Sequence, residues 1–200
     1  MAEKSVDEMT VEDRDAALGD LLNGELICAL GCTEPIALAY AAALARLVLG
    51  CEPEKLTVGC SGNIIKNVKS VTVPNSGGMR GVEAAAVLGA VGGDASAALE
   101  TLEGVTNADI VRTRELLARE SYTDISLIEG VPNLYIEVRA EALGHAAEVA
   151  ISEHHTNVVR CTRDGVPAIQ LCPPREPSVT SRTRARDVRA HECRLGSGGC

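Results

Sequence analysis

The hydrophobic positions change rhythm near residue 122. Before it, Leu18, Leu21, Leu22, Leu26 and Leu30 recur at helical spacing, which predicts a helix over residues 8–30 ended by Gly31. Pro35 sits where a first helical turn tolerates a missing N–H. A second helix is therefore expected from a cap at Thr33 or Glu34 to Leu49, closed by Gly50. "KLTVGCSG" (55–62) alternates and reads as a strand, and "KSVTVPNSGG" (69–78) as a second strand ending in a turn. Small residues from Gly81 to Val91 predict a helix, Asp94 caps another through Glu103, and Asn107 or Asp109 opens one through Ala118. From Tyr122 the period becomes two. "DISLIEG", "NLYIEVRAEA", "HAAEVAISE" and "TNVVRCTR" predict antiparallel strands, with turns at Leu143-Gly144 and Asp164-Gly165. Helices and strands are segregated, so the expected class is α+β, Ala- and Gly-rich helices packed with a mostly antiparallel sheet.

Composition refines this picture. The 200 residues suit one domain, and 46% apolar side chains are enough for a core. With no Phe, no Trp and three Tyr, that core must be built from Ala, Val, Leu and Gly, so helices should approach closely. Residues 1–170 carry 13 basic and 25 acidic side chains, and residues 171–200 carry six arginines and three acids, leaving the body at −12 and the tail at +3. An acidic body argues against nucleic acid or an anionic membrane as partner. The opening residues are polar and acidic, and the longest apolar run, Pro35 to Leu44, stops at Arg46. Neither a secretory signal nor a membrane span is expected, and a cytoplasmic chain would keep its eight cysteines reduced.

The last thirty residues have no apolar period and no aromatic residue. The expected organisation is a body over 1–170 and an irregular basic tail over 171–200. One reading of the tail is disorder. The favoured one is a frameshift or truncation, because Arg, Ala, Pro, Ser, Gly and Cys are what GC-rich DNA yields out of frame.

Three stretches carry candidate chemistry. In "GCTEP" (31–35), Cys32 stands before a helix start, where the dipole and unpaired N–H groups favour a thiolate. It is a candidate nucleophile, base or metal ligand, or else a buried structural thiol. Glu34 can take a proton, bind an ammonium group or cap the helix. Cys28, four residues earlier, is expected to face the core of the first helix. "SGNIIKNVKSVTVPNSGG" (61–78) offers Ser61, Asn63, Lys66, Asn67, Asn75 and Ser76, with Gly62, Gly77 and Gly78 exposing backbone N–H groups. Such a set suits a small carboxylate, or is simply a polar turn. In "EHHTN" (153–157), His154 and His155 point to opposite faces if extended. His155, Thr156 and Asn157 either orient a substrate or form a surface turn. Cys161, Cys172, Cys193 and Cys200 match neither zinc nor ferredoxin spacing, so no metal ligands are assigned in this chain.

Together, "ALGCTEPIALAYAAA" (29–43), "SGNIIKNVKSVTVPNSGG" (61–78), "LGAVGGD" (88–94) and "HTN" (155–157) resemble the N-terminal half of the L-cysteine desulfidase family, relatives of the iron–sulfur L-serine dehydratases. The resemblance covers about residues 15–170. It implies β-elimination of L-cysteine to hydrogen sulfide, pyruvate and ammonia by a carbon–sulfur lyase. In the family an oxygen-sensitive [4Fe–4S] cluster on three cysteines presents an open iron as Lewis acid to the leaving group. The family's GCTEP cysteine, here Cys32, acts near the substrate as base. With Cys32 and Glu34 as the catalytic pair, chemistry suggests that Asn63, Lys66, Asn67 and Asn75 seat the substrate carboxylate, and that His155 and Asn157 orient it. Family members are about twice as long, and their cluster ligands lie in the half that this sequence does not match. The isolated chain is therefore expected to bind little iron and make no sulfide. The alternatives are an L-serine dehydratase-like subunit, a non-catalytic fragment needing a separate C-terminal half, or an amino-acid-binding module. An exposed apolar face would favour a homo-oligomer.

Overall fold

A computed structural model describes residues 10–11, 13–15, 18–19, 29–168 and 170. The described positions between 11 and 19 are helical, and Thr10 and Asp13 cap them reciprocally at 3.1 and 3.3 Å. The rest of the expected first helix up to Cys28, and the tail 171–200, lie outside the described residues. Ala29 to Gly31 are not helical, so that helix does not reach Leu30. The described residues from Ala29 onward form one compact unit.

Helix α1 (Thr33–Leu49) is capped one residue before Thr33, the nearer of its two expected caps. Cys32 is the N-cap, extended at φ −60° and ψ 125°, and its side chain caps no backbone N–H. Gly50 ends the helix at φ 87°, a left-handed position that glycine occupies without strain. Strand β1 (Lys55–Cys60) is followed by helix α2 (Gly62–Val68), where a loop was expected. Ser61 caps α2, and Ile64 and Val68, one turn apart, bury its inner side. The expected strand over 69–78 is a loop, carrying a single bridge between Thr72 and Arg80. Helix α3 (Gly81–Gly92) leads to a 3-10 segment (Ala95–Glu100) capped by Asp94 and kinked at Ala98, shorter than the helix expected there. Helix α4 (Asn107–Leu117) is capped by Thr106, which exchanges hydrogen bonds with Asp109.

Strands β2 (Thr123–Leu127), β3 (Tyr135–Ala142), β4 (His145–Ser152), β5 (Val158–Arg163) and β6 (Val166–Pro167) join β1 in one sheet of order β2-β1-β3-β4-β5-β6. The fold is α+β, and all pairings are antiparallel except β1 with β2. That parallel pair corrects the expectation for "DISLIEG". Three helices separate β1 from β2, and such a crossover lets the chain return in the same direction.

Alternation buries one sheet face, broken at the end of β4, where Ala150 on the other face is buried too. Leu56 and Val58 of β1, Ile136, Val138 and Ala140 of β3, and Ala147, Val149 and Ile151 of β4 are fully buried. Helix α1 packs on β3 and β4 and also against α3. It is buried from Pro35 to Ala45, which an all-apolar helix requires. Its contact with α3 is backbone to backbone: a Cβ added at Gly89 would lie 2.2 Å from the Ala39 carbonyl oxygen. Arg46 ties the ends of the two helices, donating to the Val91 and Gly93 carbonyls at 2.6 Å each. The opposite sheet face is polar, with Arg160 paired to Glu137 at 2.5 Å and Arg139 paired to Glu141 and Glu148. Among the described residues no helix is long and apolar enough to cross a membrane.

Candidate functional site: a thiol and a carboxylate at the mouth of α1

The N-cap position leaves the Cys32 side chain free to turn from the helix toward Glu34. The Cys32 thiol donates to Glu34 Oε2 at 3.1 Å, and the Thr33 hydroxyl donates to the same oxygen at 3.4 Å. The other oxygen, Oε1, accepts from Asn67 Nδ2 at 3.3 Å. Asn67 reaches it because α2 is anchored: Ser61 Oγ accepts the Ile64 N–H at 3.5 Å and donates to the Asn133 carbonyl at 2.5 Å. Half-buried His155, in the turn between β4 and β5, is close enough for the two groups to shift each other's titration.

The electrostatics reverse one expectation. A helix start was expected to make Cys32 acidic; its pKa lies above the ordinary 9.0. Burial is the largest cause, and the hydrogen bond to Glu34, which needs the thiol proton, is next; the Glu34 N–H acts in the other direction. Glu34 is held below the ordinary 4.5, first by the thiol's hydrogen bond, against partial burial, with help from its own N–H, Asn67 and His155. The carboxylate is the stronger acid of the two and takes the charge that the helix mouth stabilises. Burial pushes His155 down against the pull of Glu34, with His154 adding to the fall.

The structure thus brings together Cys32, Glu34, Asn67 and His155. Asn63 and Lys66 are exposed on α2. Asn75 adopts a positive φ of 53° and donates to the Leu102 and Glu103 carbonyls at 2.9 and 3.5 Å, tying two loops. Asn157 donates to the Ser152 carbonyl at 3.0 Å inside its own turn. Thr33, expected only as a helix cap, is a further member of the cluster through its hydroxyl on Glu34 Oε2. Its place between Cys32 and Glu34 was the available signal.

The four described cysteines do not fit an iron–sulfur cluster. Cys32 is exposed at α1, Cys51 follows that helix, Cys60 ends β1 and Cys161 is buried in β5. Burial, with the nearby Glu83 charge, pushes Cys60 up to about 12, and the Cys161 thiol donates to the Ala168 carbonyl at 3.6 Å. Among the described residues no three His, Cys, Asp or Glu side chains gather as a metal site.

These features define an α+β domain with an acid–base cluster where a buried helix opens to solvent. The chain is similar to UPF0597 proteins: 53% identical over 146 residues to one from Finegoldia magna, covering 72% of this chain and 35% of that protein. One from Lachnoclostridium phytofermentans is 46% identical over 147 residues (74% of this chain, 35% of the relative), and one from Treponema denticola 44% over 139 (70% and 32%). The chain spans about a third of the length of these curated relatives. No family model matches the chain, and no solved structure does.

Proposed function

We propose that this chain carries the acid–base portion of a carbon–sulfur lyase that β-eliminates L-cysteine to hydrogen sulfide, pyruvate and ammonia. The supporting observation is the thiol–carboxylate pair, 3.1 Å apart at the helix mouth and held by Asn67. Elimination needs one group to accept a proton and another to give one, and this pair has one of each. The motifs resembling cysteine desulfidases add the substrate. The half-buried Glu34 carboxylate also offers a counter-charge to a substrate ammonium, and exposed Asn63 and Lys66 stand on the same short helix as Asn67. Among the described residues, Cys32, Cys51, Cys60 and Cys161 lie on separate elements and do not fit a [4Fe–4S] cluster.

The chain's span of about a third of its relatives favours a second part that completes the activity, whether on the same polypeptide or a separate one. The test compares this chain with the intact Finegoldia magna relative under anaerobic conditions, with iron and sulfide for reconstitution, assaying sulfide and pyruvate from L-cysteine and L-serine. The expected result is turnover of L-cysteine by the relative and none by the chain alone. A relative inert to L-cysteine rules out the lyase reading, and one that prefers L-serine reassigns the substrate.

A further inference from the structure

Resting on the β-elimination reading, we infer a division of labour inside the pair: Glu34 accepts the α-proton of the substrate, and Cys32 supplies the proton that the departing sulfur takes up. The geometry carries this. The Cys32 sulfur lies 3.1 Å from Glu34 Oε2, so the two groups share one hydrogen, and because a carboxylic acid ionises several units below a thiol that hydrogen belongs to the sulfur and the carboxylate is the anion of the pair at rest. A base must arrive unprotonated.

The environment holds the proton in that position. Oε2 receives both the thiol and the Thr33 hydroxyl, and Oε1 receives the Asn67 amide, three donors that stabilise the carboxylate form. Ordinary acidities of 9.0 and 4.5 already leave the reversed pair, thiolate with carboxylic acid, below about one part in ten thousand, and both environments widen that gap. Oε1 accepts one hydrogen bond, from Asn67 at 3.3 Å, against two on Oε2, and is the oxygen left with room for an incoming proton.

The step balances without an oxidant or reductant. The Cα–H bond breaks and its proton passes to the Glu34 carboxylate. The electron pair forms the Cα=Cβ bond as the Cβ–S bond breaks, and its electrons leave on sulfur as hydrosulfide. The Cys32 S–H bond then breaks, giving hydrogen sulfide and a thiolate. Protonated Glu34 returns its proton across the short gap to Cys32, restoring the resting pair. The substrate's α-proton is thereby replaced in the pair by the one lost to sulfide.

The experiment uses a leaving group that needs no proton. In the intact Finegoldia magna relative, the residues matching Cys32 and Glu34 are changed as Cys32→Ala and Glu34→Gln. Sulfide release from L-cysteine and chloride release from β-chloro-L-alanine are then measured. Cys32→Ala is expected to lose more than about 100-fold with L-cysteine but less than about tenfold with the chloro compound, and Glu34→Gln more than about 100-fold with both. Equal losses on both substrates for Cys32→Ala, or retained chloride release by Glu34→Gln, overturn the assignment. A wild-type relative inert to both substrates instead removes the lyase reading itself. Circular dichroism checks the fold of each variant. Cys32→Ser, which keeps a donor to Glu34, replaces the alanine variant if that one unfolds; its weakly acidic hydroxyl predicts the same split between substrates.

Discussion

Gly89→Ala puts one methyl group where α1 and α3 touch backbone to backbone. The new Cβ would sit 2.2 Å from the Ala39 oxygen, 2.5 Å from its Cα and 2.6 Å from its carbonyl carbon, whereas ordinary contact begins near 3.4 Å. The helices must separate by about 1 Å, because backbone atoms cannot rotate away as a side chain can. Helix propensity acts in the opposite direction, favouring alanine over glycine by about 1 kcal/mol. Overpacking costs about 1–3 kcal/mol where side chains can yield, and a backbone obstacle belongs at or above the top of that range. The net expectation is a loss of about 2 kcal/mol. With a urea slope of about 2 kcal/mol per molar, the unfolding midpoint falls by about 1 M. The same displacement moves the mouth of α1 and opens the 3.3 Å contact between Glu34 and Asn67. The control is Gly62→Ala, whose Cβ would meet Leu127 Cδ1 at an ordinary 3.6 Å, with an expected change below about 0.5 kcal/mol. Urea unfolding of both variants decides the matter. A midpoint for Gly89→Ala at or above wild type, or an equal fall for Gly62→Ala, refutes the reasoning.

Asn67 and Asn75 separate function from scaffold. Asn67→Ala is expected to weaken L-cysteine binding by calorimetry with little change in unfolding midpoint, while Asn75→Ala, which frees the Leu102 carbonyl, costs about 1 kcal/mol of stability and spares binding. The pH dependence has two limbs of opposite sign. Glu34 and Asp94, the latter held down chiefly by hydrogen bonds from the Ser96 hydroxyl and N–H, lie below their ordinary 4.5 and 3.8 when folded. Their contribution is therefore full above those values and lost as pH falls through the folded ones. Cys32 lies above 9.0, so its contribution is full below that value and lost as pH rises through the folded one. Urea midpoints measured across both limbs should show Glu34→Gln flattening the acid fall and, in part, the alkaline fall, since it removes the negative charge that helps to hold the thiol proton while burial of Cys32 remains. An unchanged alkaline limb in that variant contradicts the shared proton.

What the residue pattern revealed, and what it concealed, follows from how far each signal reaches. The alternation of β3 and β4 was legible because α1 covers one face of those strands, and burial enforces the period. The ends of α1 were legible to within a residue from Pro35 and Gly50. Helix α2 was not: seven residues hold too few turns for a 3.6 period to emerge, and its asparagines and glycine resembled a loop. Val71, Thr72 and Val73 have strand-forming side chains, yet a single bridge forms there, because propensity without a neighbouring strand has nothing to pair. Nor does alternation encode direction, so the parallel β2 had no local signature.

The site shows the same limit in chemical form. The density of asparagines suggested carboxylate recognition, but Asn75 and Asn157 spend their amides on backbone carbonyls of the loops they shape, a use equally typical of the residue. The proximity of Cys32 and Glu34 was readable from their spacing; the position of the proton was not. A dipole argument applied to the thiol alone makes it acidic. Applied to both groups, it favours whichever anion costs less, and a carboxylate ionises several units below a thiol. The field at the mouth of α1 therefore deepens the charge on Glu34, and that charge in turn retains the proton on Cys32. Any chain that places a thiol and a carboxylate two residues apart at such a point should store its reactivity in the pair rather than in the sulfur. Altering either member then changes the acidity of the other as well as removing its own.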